Sequence, residues 1–140
     1  MHVVLEILLA ARTFEKKAQV IFRPYGLTAA QFNVLNCLSD QPDGMRASDL
    51  ARGLIVDRSN VTGMLKRMKK EGWLREIETE RDRRQRVVGL SAKGLAVWTR
   101  CRHAYEQNLR AMESELTAKE RLVCETALQK LAHKAAQLET

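Results

Sequence analysis

The fold is decided by residues 57–90, DRSNVTGMLKRMKKEGWLREIETERDRRQRVVGL, because the spacing of apolar residues changes once within them. Over residues 57–71 apolar side chains recur at intervals of three or four, which predicts an amphipathic helix that Gly72 closes. Over residues 73–78, and again over 86–90, polar and apolar residues alternate as they do in half-buried strands. The residues between these strands, 79–85, are nearly all charged. The stretch therefore predicts a helix followed by a β-hairpin with a charged tip.

The predicted helix has an apolar stripe on one side and a polar, basic outer face on the other. The stripe consists of Val61, Met64, Leu65 and Met68. The outer face and its flanks carry the residues predicted to bind DNA: Arg58, Ser59, Asn60, Thr62, Gly63, Lys66, Arg67 and Lys70. Small hydroxyl and amide side chains near its N-terminus suit base edges, and the basic side chains further along suit phosphates. A merely solvated helix usually mixes acidic with basic residues, so we interpret this face as a DNA-binding surface.

The charged tip of the hairpin is predicted to be a wing that contacts DNA. We assign three of its cations, Arg81, Arg83 and Arg84, to DNA binding. Asp82 can pair with Arg84 and brace the loop, which leaves Arg83 to enter a groove. A run of charge alone is more typical of a solvated tip, but its position beside a helix-turn-helix pattern favours the wing.

Two shorter helices are predicted upstream. Residues 28–31, TAAQ, form a capping box, which predicts the start of a helix that ends before a turn containing proline and glycine. A short helix is expected over residues 48–53, with its first residue, Ser48, as the cap. A tight turn joins it to the helix of residues 57–71, and such a pair can place its second helix in the major groove. Residues 28–90 therefore predict a winged helix-turn-helix region.

Helical segments flank this region at both ends of the chain. Residues 4–22 carry apolar residues at helical spacing, Ser91 can cap the next helix, and a second capping box at residues 117–120 opens a last one. Their apolar sides are larger than a lone small domain exposes to water, so residues 1–22 and 92–140 are predicted to dimerise. The predicted fold is mainly α with a small β-hairpin wing: one winged helix-turn-helix chain with N- and C-terminal dimerisation helices.

The charge of the 140-residue chain is strongly basic, with a formal net charge of +7. This balance favours a polyanionic partner, either nucleic acid or an anionic membrane surface. Glu6 interrupts the apolar opening of the chain and no cleavage site follows, which indicates a helix and not a signal peptide. No stretch is long and apolar enough to span a membrane. We expect a cytoplasmic protein with double-stranded DNA as its partner and no membrane partner.

Residues that could support catalysis, metal binding or redox chemistry are few. The cysteines Cys37, Cys101 and Cys124 lie far apart, without a Cys-x-x-Cys pair or a histidine at zinc spacing. The sequence has no Ser/His/Asp set, paired-carboxylate motif or glycine-rich phosphate loop. We therefore expect a protein that is not an enzyme, has no cofactor and no metal site, and carries buried or idle thiols.

Residues 82–94, DRRQRVVGLSAKG, resemble the wing signature of the MarR family, D-x-R-x-x-x-V-x-L-[ST]-x-x-G. Residues 26–32, GLTAAQF, resemble the entry to that family's second helix. Residues 48–51, SDLA, and 61–65, VTGML, resemble its helix-turn-helix. The resemblance extends over nearly the whole chain, including the helical ends.

The resemblance implies a homodimer whose terminal helices intertwine and whose two winged regions bind a pseudo-palindromic operator. Proteins of the family usually repress transcription, and many release DNA on binding a small aromatic acid or on cysteine oxidation. Arg83 and Arg84 occupy wing positions of the family's pattern, whereas Gly63 stands where a larger residue is frequent, which leaves the base contact there open. An effector pocket could be lined by Phe14, Phe32 and Trp98, with packing in the core or the dimer interface as the alternative for these residues.

Three other interpretations stay open. A redox-responsive regulator would use a cysteine, although peroxide-sensing relatives carry theirs near the end of the first helix, where this chain has none. A non-specific architectural protein would recognise mainly the backbone and deformability of DNA. A winged helix devoted to protein interaction would not bind DNA, and such modules commonly lose the basic outer face that this chain keeps.

Overall fold

The computed structural model describes residues 1–54, 58–78 and 86–138, without the side chains of residues 58 and 59. Within these residues the chain forms six α-helices and three short strands. In chain order they are α1 (Val3–Phe22), α2 (Ala29–Leu38), β1 (Met45–Arg46), α3 (Ala47–Leu54), α4 (Arg58–Lys70), β2 (Leu74–Ile77), β3 (Val87–Leu90), α5 (Ala92–Glu113) and α6 (Ala118–Gln137). The predicted fold class, mainly α with a small antiparallel wing, is confirmed.

Side-chain caps predicted from the sequence begin α2, α5 and α6. The Gln31 N–H donates to the Thr28 hydroxyl at 3.1 Å, and the Thr28 N–H donates to the Gln31 side chain at 3.0 Å. Thr117 and Glu120 form the same reciprocal pair at the start of α6. Ser91 caps α5 by accepting from a backbone N–H three residues further on, at 3.0 Å. Each cap satisfies N–H groups that lack a partner within the helix itself.

The start of α3 differs from the prediction. This helix begins at Ala47, so Ser48 lies inside its first turn and is not its cap. The N–H of Ala47 donates instead to the carbonyl oxygen of Arg86, 3.3 Å away. The backbone just before the central strand β3 therefore provides the partner that a capping side chain provides elsewhere.

The sheet of the described residues has three antiparallel strands in the order β1-β3-β2, where the sequence predicted two. β2 and β3 form the expected hairpin ladder, with Leu74 opposite Leu90. β1 pairs with the other side of β3, with Met45 opposite Val88. Its two residues are too few to show an alternating pattern, which is why the sequence did not reveal it. The added strand connects the segment before α3 to the base of the wing.

The hydrophobic core lies where α1, α2 and α5 meet, with α4 closing it from the side of α3 and β2. Its largest fully buried side chains are Leu35, Leu38, Leu50, Met68, Val34, Val61 and Cys101. Phe22 stacks on Phe32 with ring centroids 4.5 Å apart, and the ring of Tyr105 meets both edge-on at 4.9 and 5.6 Å. This aromatic cluster joins the two helices at the start of the chain to α5.

None of the helices in the described ranges has the length and apolar character that a membrane crossing needs.

Candidate nucleic-acid interface

Helix α4 turns the predicted DNA-binding face outward. Its apolar stripe is buried in the core: Val61, Met64, Leu65 and Met68. The predicted DNA-binding residues whose side chains the structure describes are exposed on its other sides: Asn60, Thr62, Gly63, Lys66, Arg67 and Lys70. The side chains of Arg58 and Ser59 lie outside the described part. Since residues 58–70 include no acid, the exposed face is polar near its N-terminus and basic towards its C-terminus.

The C-terminus of α4 is closed by Gly72, as the sequence predicts. Gly72 has a φ of 83°, in the left-handed region that favours glycine. Its N–H donates to the carbonyl of Lys69 at 3.0 Å, and the N–H of Trp73 donates to that of Met68 at 3.1 Å. This pair of hydrogen bonds is a Schellman motif, which ends the helix and turns the chain directly into β2. Helix α4 and strand β2 of the wing therefore lie close together.

Arg75 ties the strands of the wing to the turn that follows α2. Its Nε donates to the carbonyl oxygen of Leu90 at 3.0 Å, and its Nη2 donates to that of Pro42 at 3.3 Å. Gly89 lies opposite Arg75 in the sheet and places no side chain against the guanidinium. One side chain thus links both wing strands to the turn that follows α2. The tip residues assigned to DNA or to bracing, Arg81, Asp82, Arg83 and Arg84, lie outside the described residues.

An ion pair that the sequence did not predict joins α4 to the wing. Lys69 Nζ lies 2.5 Å from Glu76 Oε1, and both side chains are about half exposed. The hydrogen bond from Lys69 and its charge, and to a smaller extent the charge of Arg86, lower the pKa of Glu76 below its ordinary value. The partners lie on different elements, so neither the helical nor the strand period of the sequence places them together.

A cavity of about 220 Å³ opens between α1 and α5, and all of its lining residues belong to these two helices and not to α4. Its lining combines aromatic and aliphatic side chains with one cation and one acid: Phe14, Lys17, Ala18, Ile21, Tyr105, Leu109, Met112 and Glu113. Phe14 is the one of the three proposed effector residues in this lining. Phe32 is buried in the core, and Trp98 donates from Nε1 to Asn36 Oδ1 at 3.2 Å. The sequence did not indicate Lys17, because nothing in its pattern places α1 against α5.

The environments of two of the thiols, Cys37 and Cys101, do not favour redox chemistry. Burial raises the pKa of Cys101 to about 11. Burial, and then the nearby Asp40 carboxylate, raise the pKa of Cys37 as well. Because the thiolate is the reactive form, both groups are poor nucleophiles near neutral pH. Cys124 is exposed on α6, so of the two expected alternatives, a buried or an idle thiol, only the idle one remains for it as a prediction.

Two helices three residues apart in the chain, a basic exposed face on the second and the two strands of the wing beside it define a winged helix-turn-helix of the DNA-binding class. Sequence comparison agrees with this assignment. The sequence model of the MarR family matches residues 27–85, which include α2 to α4 and the start of the wing.

The chain is similar in sequence to transcriptional regulators of known name. The chain is 32% identical to the multiple antibiotic resistance protein MarR of Escherichia coli over 109 residues, which is 77% of this chain and 75% of that protein. It is 30% identical to the homoprotocatechuate degradative operon repressor of Escherichia coli over 105 residues, 72% of this chain and 70% of the repressor. It is 44% identical to the transcriptional activatory protein BadR of Rhodopseudomonas palustris over 75 residues, 52% of this chain but only 43% of BadR.

Solved structures share the fold. The crystal structure of the Staphylococcus aureus MepR–DNA complex superimposes with a TM-score of 0.86, covering 96% of this chain and 98% of that one at 18% identity. The chain therefore belongs to the MarR family of DNA-binding transcriptional regulators.

Proposed function

We propose that the chain is a sequence-specific repressor that binds a pseudo-palindromic operator as a homodimer and is released by a small aromatic acid. The observation that carries the proposal is the exposed face of α4, which is free of acids while the opposite stripe holds the helix to the core. We assign contacts with bases to Ser59, Asn60, Thr62 and Gly63. We assign contacts with phosphates, and for Lys66 also with guanine, to Arg58, Lys66, Arg67, Lys70 and the wing arginines Arg81, Arg83 and Arg84.

The direction of regulation is proposed from the relatives. The homoprotocatechuate operon protein, which matches over most of both chains, is a repressor, whereas BadR, which matches over a shorter segment, is an activator. A repressor needs only to occupy its operator, and the described features of this chain serve that task. We therefore propose repression.

Helices α1 and α6 support the proposed homodimer, in which residues 1–22 and 92–140 form the dimerisation arms and residues 28–90 form the DNA-binding region. Every residue of α6 is exposed in the single chain. Large apolar side chains are exposed along both helices and at the C-terminal end of α6: Val3, Val4, Leu5, Leu8, Leu9, Leu122, Val123, Leu128, Leu131 and Leu138. An apolar surface of this extent is rare on a monomer, and a second copy presents a matching one.

The proposal is tested by separating sequence-specific from general DNA affinity. An operator is selected from randomised duplexes, and each variant is titrated on that operator and on a scrambled duplex over a range of salt concentrations. Asn60→Ala should cost about 1–3 kcal/mol on the operator and leave scrambled binding unchanged, because it removes a base contact. Lys70→Ala should weaken binding to both duplexes and reduce the salt slope by about one unit, because it removes a phosphate contact.

Two results would contradict this assignment. If Asn60→Ala lost the same affinity on both duplexes, the helix would be contacting the backbone and not the bases. If the parent protein bound operator and scrambled DNA equally, it would be an architectural protein that recognises backbone and deformability.

The cavity between α1 and α5 is the proposed effector site. Engineered apolar cavities of about 150 Å³ bind benzene, so the 220 Å³ found here suits one aromatic ring with a small substituent. Phe14 and Tyr105 offer ring faces, and Lys17 offers a cation for a carboxylate. The name of the homoprotocatechuate operon repressor, whose operon degrades an aromatic acid, supports the same ligand class.

Calorimetric titration with benzoate and phenylacetate derivatives tests this site. For an acid that the parent binds, Lys17→Gln should weaken binding at least about tenfold, because it removes a charge-assisted contact. Lys16→Gln is the matched control, since it makes the same charge change one residue away, outside the lining. Equal effects of the two substitutions would place the carboxylate elsewhere.

A further inference from the structure

The ion pair of Lys69 and Glu76 lies between the two segments proposed to contact DNA. Lys69 belongs to the last turn of α4, and Glu76 belongs to β2, which leads into the wing tip of residues 79–85. Arg86 follows that tip directly and contributes a second positive charge at Glu76. A carboxylate therefore stands among cations at the centre of the proposed DNA-binding surface.

The ion pair is weak enough for Lys69 to exchange Glu76 for another anion. Lys69 is 49% exposed and Glu76 is 48% exposed, and ion pairs in such positions contribute little to stability because solvent screens them. A DNA phosphate offers Lys69 the same kind of partner as the Glu76 carboxylate does. Glu76 consequently competes with any DNA backbone for this ammonium, whatever the base sequence.

We propose that Glu76 is a specificity-determining residue, which lowers the affinity for DNA of any sequence by occupying Lys69 and offsetting the charge of Arg86. The proposal rests on the proposed function, because it assumes that α4 and the wing contact DNA. Binding to non-operator DNA is almost entirely a matter of phosphate contacts, so a carboxylate in this position lowers it most. On the operator, base contacts near Asn60 fix the position of α4. Lys69 lies about 13 Å from Asn60 along the helix axis, so it keeps its ion pair with Glu76.

Glu76→Gln tests the proposal, because the amide oxygen can still accept from Lys69 while the charge is lost. Glu78→Gln is the matched control, since it removes the same charge two residues further along the chain. Both variants are titrated by fluorescence anisotropy on the selected operator and on scrambled duplex at several salt concentrations, after thermal unfolding has verified that they fold. Glu76→Gln should tighten binding to scrambled DNA roughly tenfold at 0.1 M salt and steepen the salt slope by about one unit. Operator affinity should rise less, so the ratio of operator to scrambled affinity falls.

The control separates the alternatives. Glu78→Gln should change both affinities slightly and by the same factor. Equal effects of the two variants would overturn the proposal in favour of a general charge effect, and loss of affinity on both duplexes would mean that Glu76 positions the wing. A parent protein without operator preference would overturn the proposed function itself, which is a different outcome from an operator-binding parent whose two variants behave alike.

Discussion

Gly63 occupies the middle of the exposed face of α4, where a Cβ atom would meet nothing within 4 Å. Glycine inside a helix costs about 1 kcal/mol relative to alanine, so this position weakens α4 without a packing reason in the described residues. Its neighbours on the same face, Asn60, Thr62 and Lys66, are exposed and belong to the residue types that can bind bases or phosphates. A residue without a side chain among them allows a DNA surface to approach the backbone of the helix.

Gly63→Ala should therefore raise stability and lower affinity. The free energy of unfolding should rise by about 0.5–1 kcal/mol in urea, since the helix gains propensity without a clash. Operator affinity should fall, because the added methyl group keeps DNA at a greater distance. Gly53→Ala, at the other helical glycine with open space around its Cβ position, is the control and should raise stability alone. Unchanged operator affinity in Gly63→Ala would mean that this part of α4 does not approach DNA closely.

At the scale of secondary-structure elements, the sequence predicted whatever depends on neighbours along the chain. The caps at Thr28, Ser91 and Thr117 and the terminator at Gly72 were predicted because their partners lie within a few residues. The cap of α3 and the strand β1 were not, because both depend on β3, which lies some forty residues further along. The outer face of α4 was predicted from its period, but the ion pair from its last turn to β2 has no periodic signal.

A prediction at this scale concerns Arg75, whose substitution should loosen the orientation of the wing. Arg75→Lys keeps the charge but cannot reproduce two hydrogen bonds from one planar group to the carbonyls of Leu90 and Pro42. The wing should then hold its orientation less firmly, and operator affinity should fall several-fold with an unchanged salt slope. A reduced salt slope would instead indicate that Arg75 contacts a phosphate directly. The comparison is made in the same titrations on operator and scrambled duplex.

At the scale of the whole molecule, the winged region and helix α6 of the single chain differ in how far their apolar side chains are buried. The core around Leu35 and Met68 is closed on the side of the winged region, whereas α6 has no buried residue. An amphipathic helix gains most of its stability from packing its apolar face against other elements, and in the single chain the apolar face of α6 is exposed. The cavity lined by Phe14 and Tyr105 lies between α1 and α5, which belong to the proposed dimerisation arms. An effector bound there would therefore contact helices that form the proposed dimer.

Sedimentation tests the proposed arms. The parent protein should sediment as a dimer at micromolar concentration, and Leu128→Glu should shift it towards monomer because it places a charge on the apolar side of α6. Gln129→Glu adds the same charge to the neighbouring position and should leave the dimer intact. A folded, stable parent monomer at that concentration would exclude arms built from α1 and α6.

The uncovered face of α6 has a consequence for gene dosage. When two chains must meet before either can hold an operator with both winged regions, occupancy at low expression varies with the square of the chain concentration. Halving the amount of protein then lowers occupancy about fourfold and not twofold. A promoter under such control would respond to growth and cell division with a threshold. The dissociation constant of the dimer, through the affinity of one copy of α6 for another, sets the protein concentration at which that threshold lies.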